Sequence, residues 1–108
     1  MEARTTDEAK RFALHEMLSR AAGTDHIYFQ PPENVTMRYP AVVYHLRDIS
    51  KQHADNRIYG YRRRYTITYI TRDPDDPAVG RIGALPYCAF DRAYVAENLN
   101  HYSYTIDI

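Results

Sequence analysis

The chain has no tryptophan, one cysteine and four glycines in 108 residues, and each scarcity removes a class of explanation. A lone Cys88 excludes an internal disulfide and fits a reducing compartment, or a particle assembled in one. No second cysteine stands at C-x-x-C spacing, and the five scattered histidines form no H-x-x-x-H or H-E-x-x-H pair, so no metal-ligand pattern is present. Glycine-rich phosphate loops and a G-x-S-x-G elbow are missing too, which leaves no catalytic motif and no cofactor to expect. An excess of charge of either sign is also lacking: 14 basic residues balance 14 acidic ones. The chain as a whole is therefore not a polyelectrolyte binder, and any nucleic-acid role must come from local patches. No apolar run is long enough to cross a bilayer, and the opening MEARTTDEAK is acidic and polar, unlike a signal peptide. These features predict one soluble domain, residues 1–108, not addressed for export.

What is abundant is tyrosine, 11 residues against 3 phenylalanines. Tyrosine suits half-buried sheets and also interfaces where the ring packs while its hydroxyl stays wet. Several tyrosines fall in the stretch from Tyr59 to Arg72, YGYRRRYTITYITR, around which the rest of the chain is organised. Read with period two, Tyr61, Tyr65, Ile67 and Tyr69 point one way, and Arg62, Arg64, Thr66, Thr68 and Arg72 the other. Arg63 breaks the alternation at a strand end, where a polar residue on the inner face still reaches solvent. Asp73, Asp75 and Asp76 follow at once, so a basic strand runs into an acidic turn. The three aspartates resemble the start of a calcium loop only superficially, because Pro74 and Pro77 interrupt it and no glutamate occupies the twelfth position.

Residues 5 to 22 read as a helix, with Thr5 and Glu8 as a capping box, Asp7 and Glu8 at the positive end and Gly23 as C-cap. Leu14, Met17, Leu18 and Ala21 form its packing stripe. Glu16, Ser19 and Arg20 are expected to face water, and His15 to be a solvated helix histidine. A short apolar run from His26 to Phe29 leads into Gln30-Pro31-Pro32, an edge or a loop because proline cannot donate to a ladder. Ala41 to Leu46 reads as a central strand at least partly covered on both faces, antiparallel to the arginine strand, with a long polar excursion from Arg47 to Arg57 between them. Asp76-Pro77 starts a short helix bearing Val79, Ile82 and Leu85, ended by Pro86 and weakened by Gly80 and Gly83. Tyr87 to Tyr94 is a strand with mixed faces and Glu97-Asn98 a turn. Leu99 to Ile108 is a last strand with Tyr102, Tyr104, Ile106 and Ile108 inward. The sum is an α+β fold: an antiparallel sheet of four to five strands packed against an N-terminal helix and a short second helix.

Several fragments together resemble one known family. They are Phe29-Gln30-Pro31-Pro32, Asn34-Val35 to Met37, Tyr39-Pro40 with Val43-Tyr44, Ala54-Asp55-Asn56, Arg64-Tyr65, Arg72-Asp73-Pro74-Asp75, Leu85-Pro86-Tyr87-Cys88, Phe90-Asp91-Arg92 and Asn98-Leu99-Asn100-His101. In order and spacing they look like the small tail completion, or tail terminator, proteins of long-tailed bacteriophages, also labelled minor capsid or head-tail joining proteins. The match runs from about Ile27 to the C-terminus. Gly80 and Gly83 depart from it, because that segment looks more helical in similar proteins. The resemblance implies a structural virion protein of the tail and neck, not an enzyme, assembled in the bacterial host cytoplasm. It implies a hexameric ring that caps the tail tube, contacts the tube protein on one face and a neck or head-completion protein on the other, and lets DNA pass through its lumen without sequence reading.

On that reading Tyr59, Tyr61, Arg62, Arg63, Arg64, Arg72, Asp73, Asp75 and Asp76 are the candidate subunit-interface or channel residues. The acidic turn of one subunit is expected against the arginines of the next, a heterologous contact that can close into a ring. Reversing Arg62 and Arg64 to glutamate is expected to abolish assembly and leave the monomer folded. Two rival readings stand beside it. A basic, aromatic sheet face can stack single-stranded bases, although Thr66 and Thr68 sit where rings would be wanted. An enzyme built on Asp91, His101 and Cys88 is the other, with no diagnostic spacing between any pair.

Overall fold

A computed structural model describes residues 6–54 and 57–108, with side chains described for 6–51 and 62–108. A helix, α1 (Thr6–Ala22), is followed by strands β1 (Ile27–Phe29), β2 (Ala41–Ala54) and β3 (Arg57–Thr71). A short helix α2 (Ala78–Gly83) and strands β4 (Cys88–Ala96) and β5 (Leu99–Asp107) complete the chain. The five strands form one sheet in the order β1-β2-β3-β5-β4, and both helices pack on one of its faces. The α+β expectation, one sheet against two helices, is met.

The helix forms where its stripe demands. Leu14, Leu18, Ala21 and Ala22 are buried, and Gly23 takes φ +71, so its amide reaches back to the Ser19 carbonyl at 2.9 Å. That left-handed cap is one a side chain would resist. Arg81 of α2 donates through Nε to the Ala21 carbonyl at 2.7 Å, bringing a positive charge to the negative end of α1 and tying the two helices together. The Thr5 end of the capping box lies outside the described residues.

Three tyrosines explain much of the composition. Tyr44, Tyr69 and Tyr104 are almost fully buried, Tyr69 and Tyr104 on the inward faces their alternation predicts. Each ring fills the core and each hydroxyl pegs the sheet to what covers it. The Tyr44 hydroxyl lies 2.9 Å from His15 Nδ1 on α1. Tyr69 donates to Asp76 Oδ2 at 2.6 Å, just before α2, and Tyr104 donates to the Val79 carbonyl within α2 at 2.7 Å. A phenol can do this because its apolar body and polar tip are satisfied separately. His15 is accordingly half-buried against Tyr44, not solvated. Burial, with Arg11 nearby, holds its pKa below the ordinary histidine value.

The sheet departs from the sequence reading in three places. β1 runs parallel to β2, Ile27 opposite Val42, whereas every other pair is antiparallel. A three-residue strand carries no periodic signal of its direction. β2 does not stop at Leu46. It continues to Ala54 and pairs with β3 as far as Arg57, so the expected excursion is a hairpin arm; the expected turn at Asp55 and Asn56 lies outside the described residues. A bulge between Leu46 and Asp48 shifts the alternation by one and disguises the strand as a polar loop. Finally, the second face of β2 is unevenly covered: Ala41 is buried, Val43 partly covered and His45 exposed.

The arm gives the molecule its shape. β5 accompanies β3 only as far as Arg64, and β1 leaves β2 at Tyr44, so the hairpin continues beyond them as a two-stranded ribbon. The radius of gyration is 15.0 Å, with extents of 50 × 31 × 25 Å, against about 13 Å for a compact chain of this length.

Candidate functional site

The predicted site residues lie on β3 and the turn that follows it, and the strand distributes them to different surroundings. Tyr59 and Tyr61 belong to β3, but their side chains lie outside the described residues. Arg62 is exposed and sits over the Tyr87 ring at 5.3 Å. Its neighbour Arg63 emerges on the helix-covered face and meets Asp7 of α1 at 3.4 Å. The Nε atom of Arg63 is buried without a hydrogen-bond partner, and its backbone exchanges hydrogen bonds with Ile108, which closes the end of the sheet. Arg64 returns to the open face between two aspartates, Asp48 on β2 at 3.5 Å and Asp107 on β5 at 3.6 Å. Both are its direct cross-strand neighbours. Opposite charges facing each other on adjacent strands support the pairing, although partly exposed pairs of this kind contribute only about 0–1 kcal/mol each.

Arg72 lies at the other end of β3, about 26 Å from Arg64 at ordinary strand rise, above the Tyr39 ring at 5.8 Å. The acidic turn beside it is not uniform. Asp73 and Asp75 are exposed, with Asp73 Oδ1 accepting the Asp75 amide at 2.9 Å. Asp76 turns inward and accepts three hydrogen bonds: from Tyr69, from Thr71 Oγ1 at 2.9 Å and from the Ala78 amide at 2.9 Å. Partial burial by itself pushes the Asp76 carboxyl pKa up. The bonds from Tyr69, the Ala78 amide and Thr71, helped by Arg81, outweigh it, so the group titrates below its ordinary value. The Tyr69 hydroxyl is pushed the other way, by burial first and then by the carboxylate it serves.

Arg63, Arg64 and Asp76 are thus engaged within the chain. Reversing Arg64 therefore carries a cost within the monomer that reversing Arg62 does not. Glutamate at 64 would stand between two aspartates. Among the described residues, Arg62 and Arg72 have no carboxylate partner, and with Asp73 and Asp75 they are the charged candidates left to face outward.

Sequence reading missed the partners that engage these charges. Asp48 is hidden by the bulge before it, and Asp107 shows only when the last strand is placed beside β3. A second network crosses the open face, where Arg47 Nη1 donates to Thr105 Oγ1 at 3.0 Å and Thr105 Oγ1 donates to Asp91 Oδ2 at 2.8 Å. Tyr94 stacks on His101 on that same face at 4.8 Å. A cleft of about 330 Å³ opens between α1 and the sheet near the arm, lined by Asp7, Arg11, Phe29, Leu46, Arg63 and Tyr65 among others. Arg11 lies over the Phe29 ring at 4.4 Å.

The enzyme trio is not brought together. Asp91 is bound to Thr105, His101 Nδ1 lies 3.0 Å from the Leu99 carbonyl, and Cys88 pairs at the opposite end of β5, across from Ile106. Burial, and then Asp91, push the Cys88 thiol up to about 11, so at neutral pH it is the protonated, poorly nucleophilic form. Among the described residues no three histidine, cysteine, aspartate or glutamate side chains gather as metal ligands. No helix among them is long and apolar enough to cross a membrane. No protein-family model matches the chain, and no curated protein matches it.

Proposed function

We propose that this chain is a structural subunit of a bacteriophage tail, a tail-terminator-like protein that closes into a hexameric ring on the tail tube. The ring joins the tube to a neck or head-completion protein and lets DNA pass through its lumen. The motif series from Phe29 to His101 motivates the reading. The single structural observation that supports it best is the layout of the sheet. Helices cover one face, the other carries the polar row Arg64, Thr66, Thr68, Ser103 and Thr105 with Ala41 and Ile70 buried at its far end, and a hairpin arm extends beyond the body. A two-stranded ribbon is marginal in water by itself, and a neighbour in a ring would give it something to lie against. Charges neutralised within the chain, as at Arg64, also suit a wall past which DNA slides without being gripped.

The test is the mass of the purified chain, alone and mixed with the tube protein of the same virus, joined to electron microscopy of the product. A six-subunit annulus at the end of the tube is the expected result, and a single chain that ignores the tube overturns the reading. The stacked Tyr94 and His101 on the open face favour one alternative, a single-strand-binding module. That alternative predicts salt-sensitive binding of an oligonucleotide, weakened by replacing Tyr94 with alanine.

A further inference from the structure

Among the described residues the sheet leaves two long edges without a strand beside them, and they lie on opposite sides of it. One is β4, nine residues at the end of the strand order. The other is the outer half of β2, residues 47–54, past the point where β1 stops. We propose that these two edges are the two halves of one contact, in which β4 of one copy adds antiparallel to the outer half of β2 of a second copy.

Strand direction allows it. β2 and β5 run one way and β3 and β4 the other, and Leu46 stands level with Cys88 through Tyr65 and Ile106, so a copy placed alongside in the same orientation, and shifted along the strands by about six residues or about 20 Å, sets the outer half of its β2 antiparallel to its neighbour's β4. Neither partner need be turned over.

β4 is only partly guarded as an edge, by the bulge at Asp91 and by Arg92. Proline and lysine, which commonly blunt such strands, are both absent from CAFDRAYVA, and the aspartate at its bulge is drawn onto Thr105 of its own sheet. Large apolar groups stand exposed instead: Phe90 at 53% and Val95 at 70% on the helix side, Tyr94 at 39% on the open side, and Tyr87 at 73% just before the strand. Strand addition covers both sides of an edge at once, which a partner docking on either face would not do. Taking about 200 Å² per aromatic side chain, these four groups expose on the order of 400 Å². That is about half of the roughly 800 Å² each partner contributes to a stable interface, with the backbone ladder and the arm to supply the remainder.

The occupant is a second copy because the matching apolar group is on this chain. Ile49, 47% exposed, lies opposite Arg63 on the helix side of the arm. In the side-by-side arrangement it meets the side of β4 that carries Phe90 and Val95. A contact between unlike edges is heterologous and closes into a ring when its rotation allows, so the inference rests on the ring reading and names its seam.

Two experiments separate the two ideas. Phe90→Lys with Val95→Lys adds charge at exposed positions. The full chain, followed by sedimentation up to millimolar concentration, should associate at least 100-fold more weakly than the wild type, with an unchanged circular dichroism spectrum. In a Cys88→Ser background, Ser50→Cys together with Arg92→Cys, both on the open side, should give a ladder of multimers with a short bifunctional maleimide, and neither substitution alone should do so. If the wild type stays a single chain alone and on the tube, the ring and the seam fail together. If rings form and survive both lysines, the seam alone is wrong. Dimers cross-linked through Arg92→Cys alone would mean that β4 pairs with β4, which overturns the head-to-tail assignment.

Discussion

Replacing Asp76 with alanine should destabilise the isolated monomer severely, although the residue lies in what the sequence presents as a solvated acidic turn. Its carboxylate holds the first amide of α2, Thr71 Oγ1 and the Tyr69 hydroxyl. Losing a helix-start acceptor costs about 1 kcal/mol, and stranding a buried hydroxyl costs about 1–3 kcal/mol. Tyr69 is 1% exposed, so the hydroxyl that loses its acceptor starts out buried. The sum is about 2–4 kcal/mol, or a fall in melting temperature of about 10–25 °C for a domain of this size. The Asp76→Ala, Tyr69→Phe cycle isolates the bond, because removing both partners leaves no stranded group. The double variant should be more stable than the two single losses added together, by about 1–2 kcal/mol. The pH dependence has a definite sign. A carboxyl held below its ordinary value of 3.8 contributes stability that is fully present above 3.8 and lost as pH falls through the lowered folded value. Urea midpoints of wild type and Asp76→Ala should therefore differ at pH 6 and converge toward pH 2. An Asp76→Ala monomer within about 0.5 kcal/mol of wild type at neutral pH, or an additive cycle, would refute the buried-anchor account and return Asp76 to the surface.

Arg62→Glu should leave the melting temperature within a degree or two, whereas Arg64→Glu, set between Asp48 and Asp107, should lower stability by about 1–2 kcal/mol in low salt. Thermal scans with and without added salt compare them, and equal effects would contradict the geometry. Cys88 should alkylate slowly at pH 8, with a rate that rises toward pH 11. Its pKa is raised in the fold, so its contribution to stability is present below the ordinary thiol value and is lost as pH climbs through about 11. For His15, an NMR titration should find a midpoint below 6.5. Because its folded value is depressed, its contribution is present above 6.5 and lost as pH falls through that lowered midpoint. Replacing Tyr44 with phenylalanine should move the His15 midpoint, which a solvated histidine would not show.

Much of the architecture is legible in the sequence because each element carries its own period. The stripe Leu14–Leu18–Ala21 and the alternation Tyr65–Ile67–Tyr69 state which face is dry without reference to anything distant. Glu97 and Asn98 announce their turn, and both do take positive φ. What is not legible is relational. A bulge at Arg47 moves the alternation by one residue, and a long strand then reads as loop. Direction is invisible in a strand as short as Ile27–Phe29. Nothing local says that Asp48 and Asp107 will flank Arg64, because their meeting depends on which strands become neighbours. The tyrosines were visible as an excess but not as pegs, since the acceptors for Tyr69 and Tyr104 come from a turn and a helix whose packing only the tertiary fold defines.

That distinction changes where contact between copies should be sought. Arg62, Arg63 and Arg64 are adjacent in sequence and look like one basic patch, yet a strand sends successive side chains to opposite faces. Arg63 is held by α1, Arg64 is flanked by two aspartates, and Arg62 alone of the three projects without an acidic partner among the described residues. A basic surface reduced to one guanidinium within β3 and one just past its last residue supplies little affinity, because exposed pairs are weak and screened by salt. Backbone ladders and apolar rings do not share that weakness. If copies of this chain tile, the strength of the joint therefore has to come from strand edges and from groups such as Phe90, Val95 and Ile49. The remaining charges would serve mainly to steer the approach and exclude wrong registers. Salt dependence decides between these origins: assembly that persists at 1 M salt supports an edge-built seam, and assembly that dissolves there supports a seam of arginine and aspartate.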